Sequence, residues 1–290
     1  MPGYVAKALK RLGYEPQRPA RSPLKYTPPV YGSIASMLEH SDDSVSLSET
    51  DAKFVQRAVG SFLYYSNNLD STLFTAVTKV AMQQKAPTAA TLAATHRFLD
   101  YIAAHPDASV VFKASNMQLY VHSDASYNSE PESRSRAGGY FSLGDPSYQG
   151  HDLPPKASSV NGAIAVTSKV IPTVCSNVAE AEYAAMFING QIAESLRQSL
   201  TDLGFPQEPT TIIFDNEISG KIATKTCKIK RSKTIAMRYH WIRDRVAMGH
   251  FNLTWQPGKQ NLADFFTKAH PIHHHVTMSR FFVKYPKLEN

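Results

Sequence analysis

Four carboxylates sit where the chain passes between regular elements. Asp124 lies in "YVHSDAS", Asp215 follows the apolar run "TIIF", and Asp264 lies in "NLADFF". The fourth belongs to "NVAEAEYAAM", which holds Glu180 and Glu182 two positions apart at the start of a helical pattern. At about 100° per residue those two side chains point nearly opposite ways. Glu182 shares its face with Ala185, Met186, Asn189, Ala193, Leu196 and Leu200. Glu180 shares its face with Tyr183, Phe187, Gln191, Glu194 and Gln198, a more polar set. Glu182 is therefore expected to point in and Glu180 out. A carboxylate on a core-facing stripe is costly unless it is paired or metal-bound. Singly, each acid has a plainer reading. Asp after a strand is a common turn residue, Asp264 can serve a helix cap, and Glu182 can complement a helix dipole. Together the order strand-Asp, helix-Glu, strand-Asp, helix-Asp points to shared chemistry.

A second group is basic. Lys225, Lys228, Lys230, Arg231, Lys233, Arg238, Arg243 and Arg245 face the lone acid Asp244, with Tyr239 and Trp241 interleaved. Such a segment is either a solvated helix face or a phosphate-binding one, with the aromatics in the core in both cases. On the second reading Lys230, Arg231, Lys233, Arg238 and Arg243 contact nucleic acid. The net charge of +7 is compatible with a polyanionic partner. His273, His274 and His275 are adjacent and cannot all converge on one ion, so they are expected to form an exposed tract, with metal binding the alternative. Two cysteines, Cys175 and Cys227, give no disulfide framework and no CxxC, which fits an intracellular chain. No run reads as a secretory signal or reaches the length of a membrane span.

These residues need elements to hold them. Residues 4–13 read as a short amphipathic helix stopped by Gly13, and 15–50 as an irregular connection rich in Pro and Ser. Helices are expected over about 51–66, 69–84 and 88–104. The pattern then changes to strands at 109–123, "GGYFSL" and "AIAVTSKVI". A long helix follows over 178–203, then strand "TTIIF", a short helix "EISGKIATK", a longer one over 233–248, strand "HFNLTW", and a last helix opening at "NLADFFTKA". The second half is thus α/β (residues 109–290) and the first mostly helical (residues 1–108).

The ordered segments "SDASY", "RSRAGGYFSLG", "AVTSKVIPTVCSNVAEAEYAA", "IIFDNEISGKIA", "RSKTIAMRYHWIRDRV" and "NLADFFTKAHP" resemble the ribonuclease H domain of copia-type LTR retrotransposon Pol polyproteins. "YVAKALKRLGY", "VQRAVGSFLYYSNNLDSTLFTAV" and "ATHRFLDYIAAHP" resemble the reverse-transcriptase tail and its connection to that domain. The resemblance implies a ribonuclease H-like fold, a mixed five-stranded sheet flanked by helices, with the first and fourth strands adjacent at its centre. It implies that Asp124, Glu182, Asp215 and Asp264 bind two Mg²⁺ or Mn²⁺ ions and hydrolyse the RNA strand of RNA–DNA hybrids. Asp124 would bridge both ions, Glu182 and Asp215 serve the leaving-group side, and Asp264 the nucleophile side. The implied partners are the hybrid and the reverse-transcriptase palm and fingers, not a membrane. The implied place is the cytoplasm, in a virus-like particle, or the nucleus. The loop "QPGKQN" lacks the histidine of cellular ribonucleases H, and no Tyr-x-Asp-Asp turn for DNA synthesis is present. The alternatives are a catalytically inactive nucleic-acid-binding remnant and a nuclease of the same superfold acting on DNA.

Overall fold

The structure, a computed structural model, describes residues 1–28, 42, 44–145, 160–216 and 233–285, with backbone alone for 233–237 and 239. Its helices in chain order are α1 (Tyr4–Leu12), α2 (Glu49–Asn68), α3 (Phe74–Gln83), α4 (Ala89–Ala104), α5 (Val178–Asp202), α6 (Lys233–Ala247) and α7 (Ile272–Phe282). Its strands are β1 (Gln118–Glu130), β2 (Arg134–Gly144), β3 (Ala163–Val170), β4 (Thr210–Phe214) and β5 (Phe251–Trp255). The chain divides into two units, Met1–Val111 with Ala269–Asn290, and Phe112–Lys268.

The first unit is helical because its apolar residues recur at helical spacing and its helix ends are capped. Gly13, left-handed at φ 65°, ends α1, and the Ser48 side chain accepts from Asp51 N–H at the start of α2. Val5, Val55, Phe62, Val77, Phe98 and Ile102 are among the side chains these helices bury. A helix expected over 69–84 is instead a 3₁₀ turn, Ser71–Leu73, leading into α3, because the Asp70 carboxylate caps Thr72 N–H. Asp70 is buried and also accepts from Tyr285 Oη at 3.0 Å. Tyr285 and Tyr101 hydroxyls lie 3.1 Å apart, and His275 Nε2 lies 3.1 Å from Tyr101 Oη. Two expectations change here. The C-terminal segment from Ala269 groups with the helices and not with the sheet, tied by these contacts and by the Ser109–Lys284 bridge. His275 is buried, while His273 and His274 are exposed as expected of the tract. Burial, aided by the neighbouring His270, pushes the His275 imidazole down to about 3, which keeps it neutral.

The second unit is a sheet in the order β3-β2-β1-β4-β5. β2 runs antiparallel to β1 and β3, while β4 is parallel to β1 and β5 to β4. The first and fourth strands are therefore neighbours at the centre, and the unit has the ribonuclease H-like α/β fold. Helix α5 packs across β1, β2 and β4, and Leu119, Val121, Phe141, Met186, Ile212 and Phe251 belong to the core they share with it. The first strand starts at Gln118, not at 109, because Met117 takes a left-handed backbone, φ 59°. It also runs past Asp124, since pairing continues through Ala125↔Ala137 and Ser126↔Arg136. The expected helix "EISGKIATK" lies outside the described residues. "NLADFFTKA" forms a 3₁₀ turn, Leu262–Phe266, and not the start of an α-helix.

That 3₁₀ turn rests against β1 and β2 at a place where only glycine fits. Asp124 pairs with Gly138 across the β1–β2 ladder. A Cβ on Gly138 would lie 2.5 Å from the Ala263 carbonyl oxygen and 2.6 Å from Thr267 Cγ2. Replacing Gly138 by Ala is expected to destabilise the protein by about 1–3 kcal/mol, the range of an overpacked core, as read by urea denaturation. A midpoint equal to wild type would show that the turn yields without cost.

Candidate active site

Each acid reaches the site from a different element. Asp124 projects from mid-β1 and is buried. Asp215 is the first residue past β4, and its carbonyl accepts the Trp255 indole N–H at 2.8 Å. A Cβ on Gly258 would stand 2.5 Å from Asp215 Oδ2, so the loop after β5 lies close against that carboxylate. Glu182 is in the second turn of α5, buried, and its Oε2 has no hydrogen-bond partner. Asp124, Glu182 and Asp215 each offer one carboxylate oxygen, and these oxygens lie within 4.8 Å of one another.

Asp264 stands beside this trio. It sits in the 3₁₀ turn, and its Oδ1 accepts from Lys268 Nζ at 2.5 Å. The turn is fixed by Asn261, whose Oδ1 caps Ala263 N–H at 3.1 Å and whose Nδ2 donates to the Ser123 carbonyl at 2.8 Å. On α5, Asn189 Nδ2 donates to Ser123 Oγ at 2.9 Å and to the Gly138 carbonyl at 2.8 Å. The residue before Asp124 thus binds both the turn and the helix.

Crowding of like charges shows in the titration of the acids. Burial, then Asp264 and Asp215, push the Asp124 carboxyl up to about 7. Burial, then Asp124 and Asp215, hold Glu182 well above the carboxylate range. Asp215 is raised by burial and by Asp264.

Glu180 is occupied elsewhere. Its Oε2 accepts from Ser176 N–H at 2.7 Å and Ser176 Oγ at 2.6 Å, while its own N–H donates to Asn177 Oδ1 at 2.9 Å. It closes the N-terminus of α5, with Asn177 as the cap. The two-faced reading of that helix needs one amendment: residues 181–186 are all buried, Tyr183 included. What separates the two glutamates is therefore the cap that engages Glu180 as much as helix phase.

The basic residues stand differently. Arg238 donates to Thr173 Oγ1 at 3.1 Å, with its guanidinium carbon 6.0 Å from the Phe187 ring centroid. Arg243 is partly buried, and Lys233 opens α6. Lys230 and Arg231 lie outside the described residues. Trp241 packs edge-on against Phe187 at 5.3 Å and against Phe251 at 6.0 Å, as expected of a core aromatic. Sequence reasoning overlooked Lys268, although its place four residues after Asp264 is a known pairing distance. It also overlooked Ser123, Asn189 and Asn261, whose ordinary polar types carry no motif.

The donor set suits a divalent cation. All the donors are hard carboxylate oxygens, one of them buried without a partner, and no Cys or His stands among Asp124, Glu182 and Asp215. Such donors favour Mg²⁺ or Mn²⁺ over zinc.

No family model matches the chain. The Pol polyprotein from transposon RE1 of Arabidopsis thaliana, described as retrovirus-related, is 25% identical over 267 residues, 91% of this chain and 16% of that polyprotein. Its counterpart from transposon TNT 1-94 of Nicotiana tabacum is 31% identical over 110 residues, 38% of this chain and 8% of the relative. The chain therefore spans a small part of the length of the curated relatives it matches. Similar solved structures include an N-terminal ribonuclease H domain from Mycobacterium tuberculosis, 13% identical, covering 56% of this chain and 96% of that one, with TM-score 0.35. LC11-RNase H1 in complex with an RNA/DNA hybrid is 14% identical, covering 52% of this chain and 94% of that one, with TM-score 0.37.

The crowding of the acids sets a pH dependence for the metal-free protein. The folded-state pKa of Asp124, about 7, lies above its ordinary value of 3.8. The protonated form therefore favours folding, and that contribution is lost as pH rises through 7. In EDTA, Asp124→Asn is expected to melt above wild type at pH 8, by on the order of a few kcal/mol in stability, with the gap closing towards pH 5. A gap independent of pH between 5 and 8 would contradict the assigned crowding.

Proposed function

We propose that this chain, a relative of the copia-type retrovirus-related Pol polyproteins of transposons, is a metal-dependent ribonuclease H that cuts the RNA strand of RNA–DNA hybrids during reverse transcription. The observation that carries the reading is the convergence of Asp124, Glu182 and Asp215, with the buried Glu182 Oε2 left without a partner. Three acids held that close at neutral pH are a poor structural choice and a good cation cradle. Kinship with Pol polyproteins supports nuclease chemistry in the same setting.

Asp124, Glu182, Asp215 and Asp264 would hold two Mg²⁺ or Mn²⁺ ions, which when bound supply an activated water and stabilise the departing 3′-oxygen. The chain's own residues do the rest. Asp124 is held mid-strand, where neighbouring ladder bonds limit its movement. Asn261, bonded to the Ser123 carbonyl, keeps the Asp264 turn against β1. Burial of Asp124 and Glu182 excludes water from their side of the cluster, which strengthens their interaction with any charge placed between them. Lys230, Arg231, Lys233, Arg238 and Arg243 are the proposed contacts to the nucleic-acid backbone. The hybrid is the substrate, and the palm and fingers of a reverse transcriptase are the proposed neighbours in the longer polyprotein.

The test is cleavage of a strand-labelled RNA–DNA hybrid with Mg²⁺ or Mn²⁺. Wild type is expected to cut the RNA strand alone. Asp124→Asn is expected to lose at least about a hundredfold in rate, while Glu180→Gln keeps most of it, because Glu180 only caps α5. A folded wild-type protein that binds the hybrid without cutting it would replace this reading with the non-catalytic one.

A further inference from the structure

Lys268 is the cation the site supplies for itself. Its Nζ lies 2.5 Å from Asp264 Oδ1, and its charge also acts on Asp124 and Asp215. Its anchorage differs from that of an ordinary surface lysine. Thr267, next to it, is fully buried, and both its N–H, at 3.2 Å, and its Oγ1, at 2.9 Å, donate to the Asp264 carbonyl. The backbone at Lys268 is thereby fixed to the turn that carries its partner. The Lys268 side chain is nonetheless 48% exposed, against 28% for Asp264, so about half of it borders solvent.

We propose that Lys268 is a built-in counter-cation: its ammonium neutralises the acid cluster before a divalent ion arrives, and must leave Asp264 for such an ion to take that carboxylate. The proposal rests on the metal-site reading given above. Its physical content is a competition. Two positive charges cannot share one carboxylate in a partly buried site without repelling each other. Affinity for the divalent ion is therefore lowered by the lysine, and by the same linkage the arriving ion drives the lysine outward. A lysine suits this role, since its compact ammonium sits on a flexible stem that swings away at little cost, which a forked guanidinium does less readily. The benefit is a cluster that tolerates the metal-free state while the chain folds.

The experiment measures Mn²⁺ binding by loss of the free-ion EPR signal, and melting in EDTA. The proteins are wild type, Lys268→Met, Lys268→Gln and Asp124→Asn. Both Lys268 variants are expected to bind Mn²⁺ roughly tenfold more tightly than wild type and to melt several degrees lower in EDTA, roughly the effect of removing one close charge. Either Lys268 variant, if folded, suffices for the comparison. Equal Mn²⁺ affinity in wild type and the Lys268 variants would overturn the proposal while leaving the metal site standing. Wild type that binds no Mn²⁺, or Asp124→Asn that binds it as well as wild type, would remove the metal site and the proposal with it.

Discussion

The second unit is organised around an electrostatic conflict: carboxylates from β1, α5, the end of β4 and a 3₁₀ turn are held close together, two of them out of water. Asp124 and Glu182 are both buried, and burial is the largest cause of the upward shift in each. A fold free to minimise its energy would separate these groups or pair each with a cation. This one brings them together through four elements far apart in sequence, so the conflict is paid for by the rest of the unit.

That support is visible in polar groups around the acids. Ser123 binds Asn189 of α5 through its hydroxyl and Asn261 of the turn through its carbonyl. Fully buried Arg136 donates to Glu130 Oε1 at 2.8 Å and to Ser168 Oγ at 3.1 Å, and Ser168 Oγ donates to the Phe266 carbonyl at 2.8 Å. The 3₁₀ turn is thus tied to β1 by an asparagine and to β3 by a serine. Gly138 lets the turn approach the strand that faces Asp124. Buried polar networks are costly when half satisfied, and these are drawn tight where displacement of the turn would move Asp264.

The order of the five strands and the place of α5 among them were legible in the sequence because each rests on local signals. Alternation marks β1 and β5, an apolar run marks β4, and helical periodicity marks α5. What was not legible depends on contacts distant in sequence. The extension of β1 beyond Asp124 comes from pairing with β2, which no property of "SDASY" announces. The 3₁₀ form of "NLADFF" reflects Asn261 reaching back to Ser123, 138 residues earlier in the chain. The grouping of α7 with the helical unit depends on Tyr285 meeting Asp70 and His275 meeting Tyr101. Three adjacent histidines unable to share one ion point to an exposed tract, yet one helical position in it, His275, is buried.

The chain also contains its own control for the interpretation of Glu182. Asp70 is another buried carboxylate, and burial likewise raises its pKa, to about 6. Its surroundings are the reverse. Thr72 N–H and Oγ1 donate to Oδ1, and Tyr285 Oη donates to Oδ2. Every neighbour named there donates a hydrogen bond to the carboxylate, which is how a structural buried acid is made tolerable. Glu182 has one backbone donor, the Ala125 N–H, against Asp124, Asp215 and Asp264 as its charged company, and its Oε2 has no donor. The same polypeptide thus satisfies a buried acid fully in one unit and leaves another unsatisfied among its own kind. Because the means of satisfying such a group are plainly within this sequence's reach, the contrast with Asp70 sets Glu182 apart from a buried acid held for structure alone.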